Sequence, residues 1–169
     1  MPFTPLHFGP GGAIHALAPH HISFTAFVVA NVIVDTEPFY YILTKQEPLH
    51  RFLHTYVGAT LVTVATILLF ILARKIAPLT KLPNVFHWQE LTLRQAAIGA
   101  GAGCYSHILL DSVMHADIRP LAPFSQTNAL YLLVSIDQLN SYCLWAGVAS
   151  VVVLAGRRLF LRYRVKGQS

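Results

Sequence analysis

The sequence predicts an all-α membrane protein, a bundle of about four hydrophobic helices whose N-terminal part reads either as a re-entrant hairpin or as a kinked crossing. Three observations carry this. Charged residues make up only 11% of the chain against 54% hydrophobic, and mean hydropathy is +0.53; a soluble domain carries about a quarter charged residues. Residues 55–73 hold no charge in nineteen positions, enough to cross a hydrocarbon core of about 30 Å. Two further apolar runs, about 91–113 and 129–156, are interrupted only by Arg94, His107 and Asp111 in the first and by Asp137 in the second. A length of 169 residues suits one domain, 1–169.

Taken in order, the first 34 residues contain no Lys, Arg, Asp or Glu, yet Gly9-Pro10-Gly11-Gly12 and Pro19-His20-His21 divide them into two short pieces, about 11–18 and 22–34. Thirteen apolar residues suit a re-entrant or interfacial segment. Alternatively the second piece runs on to about 43 with a kink at Pro38. The hairpin returns His7 to the outer side, whereas the crossing leaves it inside. Spans follow at about 55–76, 91–115 and 129–156, and a basic tail at 157–169. Gly99 and Gly103 give the third hydrophobic element a small-xxx-small pattern that favours close helix packing. Cys104 and Cys143 fall within spans at no metal or redox spacing and read as small apolar filler.

Charge sets the expected orientation. The segment 74–94 and the tail together hold Arg74, Lys75, Lys81, Arg94, Arg157, Arg158, Arg162, Arg164 and Lys166, against Lys45, Arg51 and Arg119 on the other side. The positive-inside rule places the nine in the cytoplasm, where the tail would meet anionic lipid. The pI of about 9.5 is thus a topology signal, and no nucleic-acid partner is expected. Met1-Pro2-Phe3-Thr4 lacks a basic n-region, so no secretory signal peptide is expected.

The unusual polar residues gather near the predicted outer interface. "VIVDTEPFYY" places Asp35 and Glu37 at the end of the first hydrophobic element, with Pro38 biasing Glu37 towards a turn. His50 and His54 form an i, i+4 pair before the second span, and His107, Asp111 and His115 recur every four residues, on one helical face. Imidazole and carboxylate at this spacing suit a divalent metal. A carboxylate inside an apolar span marks function by default, which makes Asp111 the sharpest of the set. A bland alternative pairs Asp111 with His107 or His115 to lock helix packing. His15, His20, His21 and His87 read as interface or loop residues. With no Gly-rich phosphate loop, no G-x-S-x-G elbow and no CxxC pair, hydrolysis by metal-activated water is the natural reaction class.

The blocks "VIVDTEPF", "HRFLHT" and "YSHILLDSVMHADIRPLAPFS" resemble the bacterial membrane-bound, metal-dependent hydrolases, from His7 to about Ser125. Asp35-Thr36-Glu37 stands where that family has an acidic turn, without the preceding Pro, and the histidines of the second block are four apart. The order His7, Asp35, His50, His107, Asp111, His115 is also similar to the ligand order of the zinc-dependent phospholipase C and single-strand nuclease superfamily. Those enzymes carry a further His-xxx-Glu on their last ligand helix, where this chain offers Asp137 and Asn140. The resemblance implies one or two divalent ions, zinc first among them, held by those six residues in a multi-pass inner-membrane protein. Glu37 and His54 would handle protons, and Arg51 and Arg119 would hold an anionic substrate, a phosphoester or a lipid headgroup. The competing expectation is a non-enzymatic metal-binding or metal-transporting membrane protein.

Overall fold

The computed structural model describes residues 5–166, and side chains to Arg164; the ends of the chain, including the last residues of the basic tail, lie outside the described residues. It is an all-α membrane bundle without strands among those residues. A 3-10 turn, Pro5–His7, leads into α1 (Phe8–Leu17), followed by α2 (Phe24–Leu43), α3 (Tyr56–Thr80), a 3-10 segment Val85–Glu90, α4 (Leu93–Met114) and α5 (Ile136–Lys166). Three helices, α2, α3 and α5, are long and apolar enough to cross a membrane. The 22 residues of α4 match them in length, but its hydropathy is lowered by the polar residues it carries inward.

The N-terminal glycine-proline stretch does not break the chain as expected: α1 starts at Phe8 and runs through it. Pro10 is tolerated because it sits in the first turn, where the backbone N–H has no helical acceptor anyway. Gly9 lies against the backbone of Cys143 and Gly11 against the Phe27 ring, so the absent side chains let α1 seat tightly between α5 and α2. α2 runs through Pro38 and continues helical to Leu43, the extent that the alternative reading of this region expects. The expected turn at Glu37 is overridden because its side chain is tied to the 51–54 loop. At the other end of the chain α5 starts only at Ile136, after a turn-rich stretch from 129, and absorbs the basic tail as helix.

Pairwise contacts give the running directions. Along α2 and α4, Ser23 meets Gly99, Phe27 meets Gly103 and Asn31 meets His107, so these helices run parallel. Against α4, Thr60 meets Tyr105 and Thr63 meets Gly101, so α3 is antiparallel. Gly9 meets Cys143, Gly12 meets Ser150, and the Ala16 carbonyl accepts from Arg157 at 2.7 Å, so α1 and α5 run together. The chain therefore passes down, up, down, up, down. The segment 74–94 and the basic turns of α5 share one end, and the loops after α2 and α4 share the other. Ala26, Ala30, Val34, Ala59, Val62, Ala100, Cys104 and Ile108 form the core where α2, α3 and α4 meet. Helix starts are capped by Ser23, Thr55 and Thr92, the last in a capping box with Gln95.

Candidate metal centre

Four segments converge at the loop-bearing end of this core. His7 comes from the turn before α1, Asp35 from α2, His54 from the loop before α3, and His107 and Asp111 from α4; all five are buried, His54 completely. His107 and Asp111 share a face of α4 because four residues advance 400° around the axis. His107 Nε2 stands 3.1 Å from Asp111 Oδ2 and 3.2 Å from Asp35 Oδ1. His54 Nε2 is 3.6 Å from Asp111 Oδ2, and His7 Nε2 is 3.2 Å from Asp111 Oδ1. These are close approaches, yet His7 Nε2, His54 Nε2, His107 Nε2 and Asp111 Oδ1 are buried with no hydrogen-bond partner. The imidazole nitrogens do not point along hydrogen bonds to the oxygens beside them.

The tautomers follow from what lies behind each ring. Asn31 donates its amide to the Phe27 carbonyl at 2.8 Å, which leaves its oxygen to accept from His107 Nδ1 at 2.9 Å. Glu37 accepts from the backbone N–H of Arg51 and of Leu53, both at 3.0 Å, and from His54 Nδ1 at 3.2 Å. Asp117 accepts from His50 Nδ1 at 2.9 Å and from the backbone N–H of Leu49 and His50 at 3.2 Å. In each ring Nδ1–H is the donor, which leaves Nε2 as the nitrogen free to face inward. Three imidazoles are thus oriented from behind, the arrangement that fixes metal-ligating histidines.

Burial lowers the pKa of His7 to about 4 despite the nearby carboxylate of Asp111, and burial likewise lowers that of His50. Both shifts favour the neutral ring, the state in which an imidazole binds a metal. Burial opposes ionisation of Asp117, but hydrogen bonds from the side chain and backbone of His50 outweigh it and hold the carboxyl below its usual range.

Donor atoms of Asp35, His54, His107 and Asp111 all lie within 4.8 Å of one another, as do those of His50, Asp111 and His115. The structure thus brings all six expected metal-ligating residues to one place, with His54 joining them. Glu37 sits behind His54 rather than in front of the cluster, because all its contacts are spent on the 51–54 loop. Arg51 lies with its guanidinium 3.7 Å over the Tyr41 ring and bonded to the Pro48 carbonyl; Arg119 donates to the carbonyls of Ala116 and Ile118. Both arginines line a cavity of ≈ 520 Å³ that also borders His50, Thr55 and Asp117. His15 bonds the Ile22 carbonyl and His87 pairs with Glu90, both away from the cluster.

A buried centre of His, Asp and Asn inside an apolar helical bundle invites comparison with known families, and one family model matches, over residues 7–165. The chain belongs to the YdjM inner membrane protein family. That match takes in every residue of the centre, from His7 to Asp117. No curated protein and no solved structure matches the chain. Asn31 and Asp117, which the spacing argument passes over, complete the site in this YdjM-family chain. Asn31 carried a signal, being four residues before Asp35 in an otherwise apolar helix; Asp117 carried none beyond its nearness to His115.

Proposed function

We propose that this chain is a metal-dependent hydrolase of the bacterial inner membrane. Its His/Asp centre would hold a divalent ion, zinc by the chemistry of its donors, and act on a phosphoester or lipid-linked substrate at the outer interface. One observation carries this reading: Nε2 of the buried His54 and His107 rings stands 3.1–3.6 Å from buried carboxylate oxygens, and neither nitrogen makes a hydrogen bond. An unmet buried polar atom costs about 1–3 kcal/mol, and several facing one another cost more unless a cation lies among them. A bound divalent ion supplies both that charge and, by lowering the pKa of its water towards neutrality, a nucleophile.

The chain's own residues do the rest. Asp35, His54, His107 and Asp111 bind; Asn31 and Glu37 keep His107 and His54 turned inward. Ala30, Val34, Ala59 and Ile108 close the inner side against water. Arg51 and Arg119, flanking the cavity beside His50, suit an anionic headgroup or phosphate. The test is elemental analysis of the purified full chain, with wild type beside His107→Ala and Asp111→Ala, followed by turnover of phosphoester substrates with and without chelator. Stoichiometric metal lost in both variants, with chelator-sensitive turnover, supports the reading. A protein that binds no transition metal overturns it, and bound metal without turnover on any phosphoester or phospholipid returns the chain to a metal-binding role.

A further inference from the structure

The centre offers more donors than one ion uses, and Asp111 divides them. Its Oδ2 faces His54 and His107, while Oδ1 is buried, has no hydrogen-bond donor, and stands 3.2 Å from His7 Nε2. Two donor sets each close to within 4.8 Å, and Asp111 is the one residue common to both: Asp35, His54 and His107 on the inner side, His50 and His115 on the outer. In the outer set His50 is oriented from behind as the inner imidazoles are. His50 is buried, its Nδ1 is spent on Asp117, and its ring lies 4.3 Å from that of His115 and 4.6 Å from that of His54. The His50 and His115 rings are tilted 33° to one another, and a donor atom of each lies within 4.8 Å of the Asp111 carboxylate. The outer set also borders the arginine-lined cavity through His50, whereas the inner set is walled by apolar core.

We infer that the centre is binuclear, with Asp111 as a carboxylate shared between an inner divalent ion on Asp35, His54 and His107 and an outer one on His50 and His115. This rests on the proposed metal reading and goes beyond it by assigning ion number, the partition of the ligands and the bridging group. Two ions a few ångströms apart are the arrangement that clamps both oxygens of a phosphoryl displacement, so the substrate class it fits is a phosphate ester entering from the side of Arg51 and Arg119.

The experiment is a Mn²⁺ titration of the metal-free, detergent-purified full chain, read by electron paramagnetic resonance and by bound-metal count. Wild type is expected to take up two ions per chain and show an exchange-coupled multiline spectrum. His115→Ala, at a half-buried position the fold tolerates, should bind one ion with an isolated six-line signal. Asp35→Asn, which keeps the volume of the side chain, should also fall to one. Two ions without exchange coupling would overturn the shared carboxylate, and a count of one that His115→Ala leaves unchanged would overturn the outer ion while the metal reading stands. No Mn²⁺ or Zn²⁺ bound to wild type would overturn both.

Discussion

Asn31 is a small residue with a large expected effect. Its amide is anchored to the Phe27 carbonyl, and its oxygen fixes the tautomer and tilt of His107 from 76 residues away. Asn31→Ala leaves every proposed metal ligand in place but frees the ring, and loss of such an orienting contact typically costs about 10–100-fold in metal affinity. Competition against a chelator of known affinity measures it, and an unchanged affinity would show that His107 needs no orienting partner. Glu37 separates two roles more sharply. As a base beside bound water, its removal would stop turnover and leave metal affinity intact. As the anchor its contacts describe, Glu37→Ala should weaken metal binding about 10–100-fold and cost stability as well, because the N–H groups of Arg51 and Leu53 lose their acceptor. Affinity and thermal unfolding measured on the same variant decide between them. His107 and Asp111 were legible in the sequence because helical periodicity is local and a carboxylate in an apolar run stands out. The duty of Glu37 was not, because it is set by backbone N–H groups 14 and 16 residues on, in a loop whose course no spacing rule fixes.

The closeness of α2 and α4 positions this chemistry, and it depends on missing side chains. A Cβ on Gly103 would lie 2.6 Å from the Phe27 carbonyl oxygen and 3.0 Å from Asn31 Nδ2, while one on Gly101, on another face, would meet only Thr63 Cγ2 at 3.9 Å. Gly103→Val must therefore push α2 away from α4 at the level of Asn31. Overpacking of this kind costs about 1–3 kcal/mol, and the displaced amide should carry metal affinity down with it. Gly101→Ala is the matched control, expected to stay within about 0.5 kcal/mol of wild type with metal affinity unchanged. Unfolding temperature and metal affinity measured on both variants check this; equal effects would mean that the α2–α4 contact is soft. The small-xxx-small spacing announced this packing from the sequence, and it did so because close approach needs only the absence of bulk. The glycines of α1 were read as breakers instead, since sequence alone does not say whether a glycine is bending the chain or admitting a neighbour. Contact with Cys143 and Phe27 decides it.

Across the molecule, the down-up-down-up-down path gathers two separate basic segments at one end and the whole polar centre towards the other. His7 joins the centre because α1 starts beside Asp111 and runs with α5; α1 folds back beside α2 as the hairpin reading expects, while α2 itself runs on to Leu43 and is long enough to cross, as the alternative expects. Composition was enough to read the membrane bundle, whereas the meeting of His7, Asp35 and His50 with α4 depends on helix directions that hydropathy does not encode. Orientation then rests on charge alone. Nine Lys and Arg at one end against three at the other predict that the 74–94 segment faces the cytoplasm and the loops carrying Arg51, Arg119 and Gln126 face outward. Single cysteines at Gln126, which is exposed, and Gln89, which is half-buried, test it, with Cys104 and Cys143 replaced by serine to give a silent background. A membrane-impermeant maleimide added to intact spheroplasts should label Gln126→Cys and spare Gln89→Cys until the membrane is opened. The reverse pattern would put the cavity beside His50 in the cytoplasm, and a phosphoester reaching the arginines would then have to come from the inner leaflet or from the cytosol.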